Sequence, residues 1–146
     1  MSITLSSYLS IFFSELSLDA VRGAASFAEA MHSEVVLITV IEPYSYTSLS
    51  EYRPESIDDY DERVRTVAEE RLAEARAILE EKGIKVQTLS VKSFSPAEAI
   101  MDACSEKGCD CVFMASHGRK GIAAVLLGSE TQKVLTHSKV PVMVYR

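Results

Sequence analysis

The sequence predicts an α/β protein: three layers, α/β/α, around a five-stranded, parallel, doubly wound sheet. Three observations predict it. Short β-branched runs alternate with longer segments of helical periodicity along the whole chain. Two of the runs, EVVLITVI (Glu34 to Ile41) and DCVFMA (Asp110 to Ala115), are almost unbroken in apolar character, as strands covered on both faces are. The helical segments carry start and stop residues, so the order reads β-α-β-α-β-α-β-α-β. Right-handed crossovers then place helices on both faces of one parallel sheet.

The first strand falls within Ile3 to Phe13 and is the least sharply bounded. The surrounding stretch MSITLSSYLSIFFSELSL has no Lys or Arg before Arg22, unlike the charged start of a signal peptide. Six serines and a Glu interrupt it, which excludes a membrane span. The first helix, about Leu16 to Met31, is rich in small residues (Ala20, Gly23, Ala24, Ala25, Ala28 and Ala30) that let a helix lie close on a sheet. After the second strand comes EPYSYTSLSEYRPE (Glu42 to Glu55), a long polar and aromatic loop that reads either as a lid or partner surface or as a flexible connection. Ser56-x-x-Asp59 opens the longest helix, Val64, Ala68, Leu72, Ala75 and Leu79 mark its buried stripe, and Gly83 stops it. KVQTLSV (Lys85 to Val91) alternates in polarity and belongs nearer an edge. Ser95-Pro96-Ala97-Glu98 supplies a capping serine, a proline at the first helical position and a glutamate that can reach back; Lys107-Gly108 ends that helix with a left-handed glycine. Ser129-x-x-Gln132 opens the last helix, and VPVMVY (Val140 to Tyr145) closes the sheet. Pro141 lacks a donor and suits the start of an edge strand.

The 146 residues argue for one domain, 1–146, able to bury a core without staples. A net charge of −6 argues against a general nucleic-acid binder, which needs a basic face for phosphates. Most of the acid sits between Glu51 and Glu81, the solvated face of a helix. Cys104, Cys109 and Cys111 are odd in number with no secretory signal, which points to a reducing, cytoplasmic setting. Their spacing fits no metal site, and a core role is the simpler reading.

One stretch carries chemistry: VFMASHGRKGIAAVLLGSETQKVL, Val112 to Leu135. A buried strand ends at Ala115, Ser116 follows, and Gly118 and Gly121 permit backbone approaches that a Cβ blocks. Gly128-Ser129 then opens a helix whose first N–H groups lack helical partners, a natural seat for phosphate, with Arg119 and Lys120 adding charge from the rim. An ordinary turn before a capped helix has the same spacing. Neither a Walker loop nor a G-x-G-x-x-G turn is present.

SHGRKGIAAVLLGSETQKVLTHSKVPVMVYR resembles the C-terminal third of universal stress proteins, and SELSLDAVRGAASFAEA, VVLITVIEP and SPAEAIMDAC resemble earlier segments of that family. The resemblance implies a five-stranded parallel fold related to nucleotide-binding domains. It also implies a homodimer formed through the last strand, and in many members ATP or AMP held by a Gly-x2-Gly-x9-Gly-Ser/Thr pattern, with Mg accompanying ATP. Gly118 and Gly128, nine residues apart, match the second and third glycines, and Ser129 the hydroxyl; Met114 and Val40 match neighbours of the adenine. Ala115, Ser116, Arg119 and Glu130 complete the expected binding set. Two positions depart from the pattern. Ala115 replaces the first glycine. Aligned on Ser14 to Ser17, Phe12 and Phe13 replace an Asp near the nucleoside and a Gly, so the phosphate half of the site is better kept than the nucleoside half.

The expected function is a dimeric stress-response domain that senses an adenine nucleotide. The alternatives are a nucleotide-free partner-binding module with a vestigial site, or a weak ATP hydrolase. Hydrolysis is the less favoured, because no Asp or Glu lies between Val112 and Ser129 to hold a metal, and His117 in the loop reads as solvated or structural.

Overall fold

A computed structural model describes residues 18–45, 55–116 and 127–145, and the backbone of residues 8–12. Nine elements alternate: β1 (Tyr8–Phe12), α1 (Leu18–Ala30), β2 (Glu34–Ile41), α2 (Ile57–Glu81), β3 (Val86–Lys92), α3 (Pro96–Lys107), β4 (Cys111–Ala115), α4 (Ser129–His137) and β5 (Val142–Tyr145). The five strands form one parallel sheet in the order β3-β2-β1-β4-β5. The order reverses direction between β1 and β4, and β3 and β5 are the edges, as the alternation in β3 and Pro141 before β5 predict.

The period of two along the strands divides the core. Val35 and Leu37 of β2 and Phe113 of β4 pack under α1 and α2, together with Ala20, Val21, Ala24, Leu72 and Leu79. Val36 and Ile38, with Val112 and Met114, pack under α3 and α4 around Ile100 and Val134. Each of these large side chains contributes about 1.5–3 kcal/mol by leaving water. Cys104 and Cys109 are buried in the second cluster, the core role expected of them. Cys111 is half-buried, and burial pushes its thiol up, which favours the protonated form at neutral pH.

Local signals placed most boundaries and misplaced three details. Ser56 caps α2, its hydroxyl accepting from Asp59 N–H at 3.1 Å, but Val64 is only half-buried while Ala68, Leu72, Ala75 and Leu79 are buried. Gly108 ends α3 in the left-handed region at φ 65°, yet Ser95 makes no side-chain cap at its start. For α4 the N-cap is Gly128, not Ser129; Gln132 turns its amide to Leu127 O at 2.9 Å.

Candidate functional site

The ends of the strand-loop-helix unit are pinned together. Gly128 N–H donates to Ser116 O at 2.9 Å, and the Thr131 hydroxyl donates to Ala115 O at 3.0 Å. Ser116 N–H in turn donates to Tyr145 O at 2.8 Å. These bonds set the N-terminus of α4 at the C-terminal end of β4, beside the point where the strand order reverses. Open parallel sheets offer their ligand crevice at that point. The first intrahelical bond runs from Gln132 N–H to Gly128 O, so the N–H groups of Ser129, Glu130 and Thr131 precede it and have no acceptor within the helix.

The predicted site residues divide into groups. Ser129 is exposed at the first turn of α4, and Gly128 sits half-buried just before it with its amide already used by Ser116. Val40 and Met114 lie on the same sheet face as α4, but Met114 is 1% exposed, so Val40 alone of the two offers surface to a ligand. Ser116 is buried, with both backbone groups engaged. Ala115 packs against the cluster under α1 and α2. The methyl that replaces the first glycine therefore points to the opposite face from α4. Gly118, Arg119, Lys120 and Gly121 lie outside the described residues, as do the side chains of Phe12 and Phe13.

Glu130 does something the sequence did not announce. Its Oε2 accepts from Ala97 N–H at 3.0 Å, and its Oε1 accepts from Lys133 Nζ at 2.7 Å. The carboxylate of α4 thus caps α3, whose own Ser95 does not. Thr131, which ties helix to strand, was also missed. A hydroxyl in the first turn of a helix that follows a strand end is the signal that could have found it.

The ends of the Glu42 to Glu55 loop are held as well. Tyr60 OH donates to Glu42 O at 2.9 Å, and Tyr44 OH to Glu55 O at 3.3 Å. Arg63 grips Glu55 through two bonds of 2.9 Å and lies 5.4 Å from the centre of the Tyr60 ring. The Arg63 hydrogen bonds hold the Glu55 carboxyl below its ordinary range, whereas burial, then the Glu42 charge, pushes Tyr60 up. Residues 46–54 are outside the described residues.

A doubly wound parallel sheet with a helix N-terminus at its switch point defines the class: an α/β domain. The model of the universal stress protein family matches residues 11–146, and the chain belongs to that family. Among relatives, it is 27% identical to universal stress protein MJ0531 of Methanocaldococcus jannaschii over 91% of this chain and 76% of that protein. Its fold is similar to the solved structure of MJ0577 from the same organism, with TM-score 0.76, 26% identity and coverage of 97% and 96% of the two chains. It also matches a universal stress protein solved in complex with cAMP (TM-score 0.69, 21% identity, 97% of each chain). A further match is the Archaeoglobus fulgidus protein in complex with dAMP (TM-score 0.66, 19% identity, 96% and 98% of the two chains).

Proposed function

We propose that this chain is a nucleotide-binding stress-response domain that takes an adenine nucleotide at the N-terminus of α4 and works as a cytoplasmic homodimer through β5. The observation that carries the reading is the trio of N–H groups at Ser129, Glu130 and Thr131, set at the switch point by the Gly128–Ser116 and Thr131–Ala115 bonds. The packing of the Ala115 methyl under α1 and α2 supports it, because the one change within the glycine pattern lies on the face away from α4. Two fold neighbours solved with cAMP and dAMP support the ligand class.

Binding, rather than hydrolysis, is the favoured activity. Glu130, the carboxylate nearest the cradle, has both oxygens engaged, by Ala97 and by Lys133. The partner-binding alternative rests on Phe12 and Phe13, which stand in this chain where the resemblance calls for an acid and a glycine.

The test is to purify the protein, denature it and identify any released nucleotide by absorbance and mass, then titrate AMP and ATP into the stripped protein and into Gly128→Val. Released or titratable nucleotide that Gly128→Val abolishes supports the reading. Absence of binding to either protein overturns it in favour of the partner-binding module.

A further inference from the structure

We propose that Cys104 and Cys109 form a redox-active dithiol, which a hydroperoxide converts to an intrachain disulfide across the C-terminal cap of α3. The cap itself sets the pair. Gly108 N–H donates to Ser105 O at 3.2 Å and Cys109 N–H to Cys104 O at 2.9 Å, with Gly108 at φ 65°. These are the two bonds of a Schellman cap, in which the side chain after the left-handed glycine meets the side chain five residues earlier. That contact is ordinarily apolar; here both of its residues are cysteine, and both stand as thiols. The 2.9 Å backbone bond keeps their Cα atoms no more than about 6.8 Å apart, inside the reach of a disulfide. The Cys104 thiol donates back to Cys109 O at 3.7 Å. Both side chains lie in the one cluster under α3 and α4, 5% and 6% exposed.

Cys111 stands outside the pair. It lies on the opposite face of the sheet, against the cluster under α1 and α2, and its thiol donates to Val112 O at 3.6 Å. Oxidant reaches the pair through the cap. Ser105, Glu106, Lys107, Gly108 and Asp110 are all exposed, so Cys109 is the buried residue of an otherwise solvated turn. Helix ends fray most readily, and opening this last turn uncovers it. The Cys109 thiolate attacks the terminal oxygen of the hydroperoxide and becomes a sulfenic acid as the alcohol leaves, or water where the oxidant is hydrogen peroxide. The Cys104 thiolate then displaces that oxygen as water and closes the S–S bond. Two thiols give up two electrons, which break the O–O bond, and two protons, which leave on the alcohol and the water. The bond ties the end of α3 to the residue that leads into β4. A disulfide of this kind in a reducing compartment serves redox sensing rather than permanent structure. No ligand takes part, so the inference stands apart from the nucleotide reading.

The experiment treats the full chain with hydrogen peroxide, unfolds it, alkylates the remaining thiols and reads intact mass and the peptide map. Two of the three thiols are expected to disappear together, with Cys104 joined to Cys109 and Cys111 alkylated. Cys111→Ala should oxidise as the wild type does. Cysteines so near in sequence also pair in an unfolded chain, so the decisive quantity is how far the fold favours the bond. Equilibration with reduced and oxidised glutathione, in buffer and in concentrated urea, measures it. The cap should raise the equilibrium constant for the disulfide about tenfold or more above its value in urea. A native constant no greater than the one in urea overturns the inference. So does oxidation that stops at sulfenic or sulfinic acid, or a bond that takes in Cys111.

Discussion

Gly23 of α1 stands where the ring of Tyr145 needs room: a Cβ at position 23 would come within 2.8 Å of Tyr145 Cδ2 and closer still to Cε2. The contact joins the first helix to the last strand, and the same ring lies 6.0 Å from that of Phe113, centre to centre. Gly23→Ala sets two effects against each other. Alanine gains about 1 kcal/mol of helix propensity over glycine. Overpacking against a ring in the edge of the core costs about 1–3 kcal/mol. Urea denaturation is expected to show a net loss of about 1 kcal/mol, and the same change in a Tyr145→Val background should stabilise. A Gly23→Ala protein more stable than the wild type would mean that Tyr145 leaves its seat without cost.

The start of α3 depends on α4 rather than on its own serine. A capping serine ordinarily contributes about 1 kcal/mol, but Ser95 makes no such bond and Glu130 supplies it. Ser95→Ala should therefore cost less than about 0.5 kcal/mol, while Glu130→Ala should cost about 1 kcal/mol, the low end for a hydrogen bond to a partly exposed charged group. Denaturant titrations of the two single variants decide the matter; the reverse ranking would show that the cap is local after all.

The Arg63–Glu55 pair gives the loop clasp a defined pH response. The Arg63 hydrogen bonds lower the Glu55 carboxyl in the folded protein. A carboxyl lowered on folding contributes stability that is present above its unfolded pKa and is lost as pH falls through the folded value. The clasp should hold at neutral pH and open only in acid below the ordinary glutamate range. Carboxyl-carbon NMR should place the Glu55 midpoint below that range in the wild type and return it upward in Arg63→Met. Superimposable titration curves would dismiss the pairing.

How much of this was legible in the sequence depends on the range of the interaction. Strand positions came from continuous apolar runs, so Glu34 to Ile41 is recovered residue for residue. The left-handed stops at Gly83 and Gly108 follow from local backbone sterics and were equally plain. The Glu130–Ala97 bond was not, because it spans 33 residues of sequence and competes with a local serine that carries the usual signal. The Gly23–Tyr145 contact is longer still in sequence: the wealth of small residues in α1 announced close packing without saying against what. The harmless direction of the Ala115 methyl lay within reach. Strand alternation puts residues 114 and 115 on opposite faces, and Met114 belongs to the α4 side.

The free edge of β5 leads to a prediction about assembly. Val112 N–H donates to Pro141 O and Ser116 N–H to Tyr145 O, so the odd-numbered residues of this strand bond to β4. Their even-numbered neighbours, Val142 and Val144, then turn their N–H and C=O groups outward, an edge that a two-fold partner can cover. Every residue of β5 is half-buried in the single chain, Val142 facing the α3–α4 cluster and Met143 and Tyr145 the α1–α2 cluster. Val144→Pro deletes an outward donor while leaving the bonds to β4 alone, and the extended backbone of Met143 suits the residue before a proline. Sedimentation is expected to show a dimer for the wild type and a monomer for Val144→Pro, with unchanged far-ultraviolet circular dichroism. A Val144→Pro protein that stays dimeric would place the interface elsewhere than β5, whereas a monomeric wild type would remove the dimer itself.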